Sequence, residues 1–125
     1  GEVRVLAGGE TSLEGMTTAQ ALLRESAPLP TALVAYNDDT AIGALSVLRD
    51  TGIDVPGAMS VIGYDDSEAA RNLPIGLTSV AQHPHVMARH AVQRVVARAR
   101  GTRVSGRSVV LDPDLVVRAS TAPPA

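Results

Sequence analysis

The feature of this sequence that most constrains its fold is the alternation of short apolar runs with amphipathic stretches of helix length. Three apolar runs, VRVLAGG (3–9), TALVAY (31–36) and MSVIG (59–63), each have the length of a buried strand. Two segments with helical periodicity separate them. This β-α-β-α-β order predicts an α/β fold, in which helices flank a sheet of parallel strands.

Both helical segments carry a start signal, and the second also carries a stop signal. In residues 11–26, Thr11 or Ser12 is expected to cap the helix. The apolar face of this helix is formed by Met16, Ala19 and Leu23. In DDTAIGALSVLRDTG, Asp38 or Asp39 is expected to cap the helix, and Gly52 to end it. The apolar face of this second helix is formed by Ala41, Leu45 and Leu48.

The remainder of the chain predicts a further crossover. A loop is expected over residues 64–77, followed by a short extended piece, TSVAQ. A helix over residues 85–100 then has one apolar side, which includes Val92 and Val95, and one arginine-rich side. SVVL (108–111) and DLVVRA (114–119) are predicted to be strands, separated by Asp112 and Pro113.

Composition narrows the classes of function. The chain has 125 residues, of which 45 % are apolar, enough for the core of one domain or part of one. It has no cysteine, so disulfides and thiolate metal sites are excluded. No apolar run approaches the ~20 residues that span a bilayer, and GEVRVLAGGE does not have the pattern of a signal peptide. The net charge of −2 argues against bulk attraction to nucleic acid or to an acidic membrane.

Polar residues follow two of the predicted strands at the point where each strand ends. Asn37 and Asp38 follow TALVAY, and Tyr64, Asp65 and Asp66 follow MSVIG. Ligands of open parallel α/β sheets bind outside the carboxyl ends of the strands. Both groups are therefore expected at the edge where this architecture places a binding crevice.

Several other roles compete for these residues. Asp38 and Asp39 can simply cap a helix, and Asp65 with Asp66 can form a solvated turn. Clustered carboxylates can also hold Mg²⁺ for phosphoryl transfer. Response-regulator receivers and related phosphatases, however, also use a lysine to steady the phosphoryl group, and this chain has no lysine.

Nucleophilic catalysis and DNA contact have little support in the sequence. There is no G-x-S-x-G pattern, and His83, His85 and His90 lack an obvious serine or acid companion. The arginine-rich helix has no interleaved aromatic residues for base stacking, and its pattern is that of an ordinary surface helix.

One long stretch carries a family resemblance, namely PTALVAYNDDTAIGALSVLRDTGIDVPGAMSVIGYDDSEAARNLPIGLTSVAQ, followed by a helix and LVVRAST. This stretch resembles the C-terminal part of the lactose-repressor-type (LacI/GalR) bacterial transcription regulators. The resemblance implies part of a two-lobed, periplasmic-binding-protein-like effector domain. It places residues 1–82 and 112–125 in the second lobe. It also makes residues 83–111 a crossover helix and strand of the first lobe. The DNA-reading domain of the family is not in this sequence.

The resemblance also implies a ligand site and a partner. Its ligand contacts correspond to Asn37, Asp65 and Gln82, with Asp66 bracing the loop. The expected ligand is a small sugar or related metabolite, and neither catalysis nor a cofactor is expected. The alternative is a fragment of a periplasmic sugar-binding protein.

A cytoplasmic homodimer is expected, which contacts operator DNA only through a domain outside this chain. The apolar candidates for the dimer interface are Ile42, Leu45 and Leu73. The apolar side of the 85–100 helix is expected to dock on the chain's own sheet or to be exchanged with a partner chain.

Overall fold

The computed structural model describes residues 2–25, 27–106 and 108–123. They form two compact units, one of Gly1–Ala81 with Leu115–Ala125 and the other of Gln82–Asp114. The elements in chain order are α1 (Ser12–Arg24), β1 (Ala32–Val34), α2 (Asp38–Asp50), β2 (Ser60–Tyr64), α3 (Glu68–Asn72), β3 (Thr78–Ala81), α4 (Pro84–Ala99) and β4 (Asp114–Val116). The lobe assignment drawn from the resemblance stays a prediction.

The first unit is built on a sheet with the strand order β1-β2-β3-β4. The three strands β1, β2 and β3 are parallel, and Ile62 in the central strand is in register with Val34 on one side and Thr78 on the other. The helices α2 and α3 lie in the connections between these parallel strands, whereas α1 precedes β1. The predicted α/β fold with a parallel sheet flanked by helices is confirmed.

The start of α1 agrees with the sequence prediction. Thr11 is the N-cap, and it forms a capping box with Glu14, whose backbone N–H donates to the Thr11 hydroxyl. The Glu14 carboxylate in turn accepts from the Thr11 backbone N–H at 3.0 Å. This reciprocal pair satisfies two backbone donors that a helix start otherwise leaves open.

The start of α2 differs from the prediction that Asp38 or Asp39 caps it. Asn37 is the N-cap, and its Oδ1 accepts from the backbone N–H of Thr40 at 2.8 Å. One side chain suffices for this role, and the residue that precedes both aspartates takes it. The predicted end is confirmed, since Gly52 follows the C-cap with a φ of 76°, a conformation that favours glycine.

The two predicted apolar faces pack as expected. Ala41, Leu45 and Leu48 join a core with Met59, Val61, Ala70 and Leu77. Ala19 forms a second cluster with Ala44 and Val47, and Met16 and Leu23 pack against it. The helices α1 and α2 approach each other closely, because a Cβ on Gly15 or Gly43 would overlap a backbone oxygen of the facing helix.

Three predictions about regular elements in this chain are wrong. Residues 3–9 and 108–111 are not strands, and Val3 and Val5 are 88 % and 94 % exposed. An apolar run becomes a strand only through backbone pairing with a neighbour, which a periodicity pattern cannot supply. The predicted loop 64–77 contains the short helix α3, which is capped by Ser67.

The second unit contains α4, which was predicted from its apolar periodicity. The helix begins with Pro84 in its first turn. The backbone N–H groups of a first turn have no acceptor within the helix, so the missing N–H of proline costs no hydrogen bond there. Val92 and Val95 are 61 % and 67 % exposed, and none of the described residues of α4 is buried. The helix is confirmed, and the expected docking of its apolar side on the sheet or on a partner chain stays a prediction.

None of the helices in the described residues combines the length and the apolar composition that crossing a bilayer requires.

Candidate functional site

The predicted ligand residues Asn37 and Asp65 follow neighbouring parallel strands at equivalent positions. Val34 is in register with Ile62, and the backbone N–H of Ala35 donates to the carbonyl of Ile62 at 2.8 Å. Each predicted residue stands three positions after its member of that registered pair. The sheet therefore brings both residues to its carboxyl edge, which is where α/β folds bind ligands.

Asn37 holds this edge to the segment that precedes α1. While its Oδ1 caps α2, its Nδ2 donates to the backbone carbonyl of Glu10 at 2.8 Å. A carboxamide carries two N–H groups and an oxygen with two lone pairs, so these bonds use part of its capacity. The residue combines a structural role with the ability to donate and accept at the sheet edge.

Asp38 has a different place from the helix cap that the sequence suggested. Its side chain is buried, with 1 % exposure. One carboxylate oxygen accepts from the backbone N–H of Ser67 at 2.6 Å, and the other accepts from the Ser79 hydroxyl at 2.5 Å. Gly63 leaves the room for this carboxylate, because a Cβ there would overlap it.

Asp65 is exposed at the end of β2 and has an unusual backbone conformation. Its φ is 110°, and Asp66 follows with a φ of 49°. Positive φ is uncommon for residues with a side chain, and it persists where the surrounding structure enforces it. The Asp65 backbone N–H donates to the carbonyl of Val80 in β3 at 2.8 Å, so the turn stays attached to the sheet.

Asp66 braces the turn, as predicted. Its side chain is only 10 % exposed, and its two oxygens accept from Arg71 at 2.8 Å and from Arg118 at 2.5 Å. These hydrogen bonds, with that from Arg71 the larger cause, lower the pKa of the Asp66 carboxyl below its usual value. Arg118 also donates to the carbonyl of Leu77 at 2.7 Å.

Gln82, the third predicted ligand residue, directly follows β3 and is the first residue of the second unit. The next residue, His83, precedes α4 with a φ of 54°. Within this unit its Nε2 lies 2.8 Å from the Asp114 carboxylate.

Sequence reasoning missed the partners of the acids. Arg71, Ser79 and Arg118 hold Asp38 and Asp66, but they lie 5 to 52 residues away along the chain. The available signal was chemical, since a buried carboxylate requires donors and Arg118 is the single base in DLVVRA.

The acids of the carboxyl edge do not gather around one point. Among residues 2–25, 27–106 and 108–123, no three histidine, aspartate or glutamate side chains are placed to hold a metal ion.

Comparison with known families gives a match over nearly the whole chain. Residues 2–121 match the family model of the periplasmic binding protein-like domain. An HTH-type transcriptional regulator from the aml 5′ region of Streptomyces limosus is 39 % identical over 111 residues, which are 89 % of this chain and 31 % of that protein. This chain spans about a third of the length of the curated relatives it matches.

Solved structures share the fold as well. The lac repressor dimer bound to operator and the anti-inducer ONPF aligns with a TM-score of 0.81 at 30 % identity, over 91 % of this chain and 39 % of that one. A LacI family regulator from Enterococcus faecium with bound ribose aligns with a TM-score of 0.84 at 25 % identity, over 96 % of this chain and 44 % of that one. The resemblance to LacI-type regulators is confirmed.

Proposed function

Since the chain belongs to the periplasmic binding protein-like domain family, in the form found in LacI-type transcription regulators, we propose that it is the C-terminal part of an effector-binding domain. Its role is to bind a small sugar or a related metabolite, and this binding changes the affinity of a repressor for operator DNA. Periplasmic solute binding is not favoured, because the relatives compared are transcription regulators.

The observation that carries this proposal is the equivalent placement of Asn37 and Asp65 at the ends of two registered strands. A carboxylate accepts from two neighbouring hydroxyl groups, whereas a carboxamide both donates and accepts. Charge-assisted hydrogen bonds of this kind are stronger than neutral ones. The resemblance adds Gln82, which directly follows the third parallel strand and also carries a carboxamide.

The chemical class of the ligand is proposed from the same groups and from a relative. Two amides and a carboxylate match a ligand that has several adjacent hydroxyl groups. The Enterococcus faecium neighbour holds ribose, and this supports a sugar here. D-ribose is therefore the first probe, followed by hexoses and disaccharides.

Isothermal calorimetry on the full-length protein tests the proposal. Asp65→Asn should weaken binding of the sugar by about 1.5–3 kcal/mol, the contribution of hydrogen bonds to a charged group. Asp39→Asn is the matched control, because Asp39 is also an exposed aspartate beside the same edge. Both substitutions remove one negative charge. Equal affinities of the two variants, or no binding of any sugar by the wild type, would contradict the proposal.

We also propose that the protein is a cytoplasmic homodimer that contacts DNA through a part of the protein outside this chain. The lac repressor neighbour is a dimer bound to operator, and this supports both partners. Leu45, one of the three predicted dimer contacts, has little surface to offer a partner, because it is 8 % exposed and belongs to the core. Ile42 and Leu73 pack against that core as partly buried residues, so they keep some surface for a partner.

A further inference from the structure

We propose that Asp38 and Ser79 are positioning residues for the ligand, because they hold the turn of Asp65 and Asp66 in its binding conformation. This inference rests on the proposed function, in which Asp65 contacts the sugar. Neither positioning residue meets the ligand itself, since Asp38 is 1 % exposed and Ser79 is fully buried. They act through the backbone of the turn.

A continuous chain of hydrogen bonds connects the buried pair to the turn. The Ser79 hydroxyl donates to Asp38 at 2.5 Å and accepts from the backbone N–H of Asp66 at 3.0 Å. The second oxygen of Asp38 accepts from the backbone N–H of Ser67 at 2.6 Å. Two consecutive peptide N–H groups after Asp65 are therefore held by a single buried carboxylate, one directly and one through Ser79.

The direction of these bonds is fixed by the chemistry of the groups. An ionised carboxylate can only accept, so the Ser79 proton points towards Asp38. The lone pairs of the same hydroxyl are thereby left for the Asp66 N–H. A hydroxyl with its proton committed in this way places its acceptor side in one orientation, and the peptide it receives is oriented with it.

The turn requires such restraint because its backbone is unfavourable. Asp65 and Asp66 have φ values of 110° and 49°, which residues with side chains adopt mainly where their surroundings enforce it. If the restraint is lost, Asp65 is expected to populate negative φ values, and its carboxylate would move away from the sheet edge. Burial helps here, since water does not compete for the bonds of Asp38 and Ser79.

Ser79→Ala in the full-length protein removes the hydroxyl that joins Asp38 to the turn. The matched control is Ser120→Ala. Ser120 is also fully buried, and its hydroxyl accepts from the Thr78 N–H at 2.8 Å and donates to the Val61 carbonyl at 2.6 Å. Both variants lose one buried serine hydroxyl with two partners, but the hydrogen bonds of Ser120 join strands and do not reach the turn.

The first measurement needs no ligand. Hydrogen–deuterium exchange resolved to single amides should show faster exchange at Asp65 and Asp66 in Ser79→Ala, while Ser120→Ala leaves these two amides as protected as in the wild type. Asp38→Asn should also speed exchange at Ser67. Unchanged exchange at Asp65 and Asp66 in Ser79→Ala would overturn the positioning role, whatever the protein binds.

The second measurement is calorimetry with D-ribose. If the turn is in its binding conformation for about a tenth of the time, the apparent Kd rises about tenfold in Ser79→Ala. Ser120→Ala should lower the urea midpoint by a similar amount without changing the Kd. If the Kd rises in both variants in proportion to their loss of stability, Asp38 and Ser79 have a structural role only. Failure of the wild type to bind ribose and the other sugars would count against the proposed function, and the exchange data would still decide the positioning role.

Discussion

Arg118 donates a hydrogen bond of 2.5 Å to Asp66, although 52 residues separate them in the chain. Arg118 follows β4, whereas Asp66 lies in the turn after β2. A second nitrogen of the same guanidinium donates to the Leu77 carbonyl at 2.7 Å. The segment after β4 therefore fixes the turn of the proposed ligand site and the start of β3 with one side chain.

Arg118→Met should lower the free energy of unfolding by about 1–3 kcal/mol, because a nearly buried carboxylate and a backbone carbonyl both lose a donor. Arg71→Met is the matched control. Arg71 also donates to Asp66, but its side chain is 57 % exposed against 20 % for Arg118, so its loss should cost at most about 1 kcal/mol. Urea unfolding of the two variants checks the order, and a larger cost for Arg71→Met would contradict it.

Acid should weaken the fold through Asp66. Its pKa is lower in the folded chain than the usual aspartate value of about 3.9, so its contribution to stability is present above that value. The contribution is lost as the pH falls through the folded pKa. The pKa of Glu14 is also lowered, chiefly by the Thr11 hydroxyl, so Asp66 accounts for part of the acid sensitivity.

Urea midpoints measured from about pH 6 to about pH 3 for the wild type and for Asp66→Asn check this dependence. The difference by which the urea midpoint of the wild type exceeds that of Asp66→Asn should shrink towards the acid end of the series. A constant difference between the two proteins over the whole range would contradict the role given to Asp66.

How far the sequence determines the fold can be seen from its helices and strands. Apolar periodicity was sufficient for α1, α2 and α4, because each helix is encoded by spacing within its own segment. It failed for residues 3–9, whose alternating valines are exposed, because strand formation depends on a neighbour elsewhere in the chain. The short helix α3 has too few residues for a periodic signal, and its cap Ser67 resembles an ordinary loop residue.

The same limit applies to the candidate site. Parallel strand order was enough to predict that Asn37 and Asp65 meet at one edge of the sheet. It did not distinguish Asp38 from Asp39, although the first is buried and the second is exposed. Which aspartate turns inward is decided by Ser67, Ser79 and Gly63, and these residues meet only in the folded chain.

Gly43→Ala should destabilise the chain by about 1–3 kcal/mol, the usual cost of forcing extra volume into a packed region. A Cβ at this position of α2 would overlap the backbone oxygen of Ser12, and a backbone atom cannot move aside cheaply. Gly106→Ala is the control, because a Cβ there meets nothing within 4 Å. Comparable urea midpoints for the two variants would show that α1 and α2 can separate without cost.

The apolar side of α4 should drive self-association of this chain. Val92 and Val95 are 61 % and 67 % exposed, and an apolar side chain of this size contributes about 1.5–3 kcal/mol when it is fully buried. Replacing both by serine should change the free energy of unfolding by less than about 0.5 kcal/mol, because neither residue supports the core. The same double variant should shift the dimer towards monomer, which light scattering across a dilution series measures.

The matched control for this test is Val3→Ser with Val5→Ser, which removes two valines that are 88 % and 94 % exposed in the other unit. If any exposed valine pair promotes association, both double variants will dissociate equally, and α4 has no special part in the assembly. Because the valines of α4 recur at helical spacing, they present one continuous patch, which is what an interface requires. Dissociation confined to the Val92 and Val95 variant would therefore identify α4 as the contact surface, whereas a wild-type chain that stays monomeric at high micromolar concentration would refute the prediction.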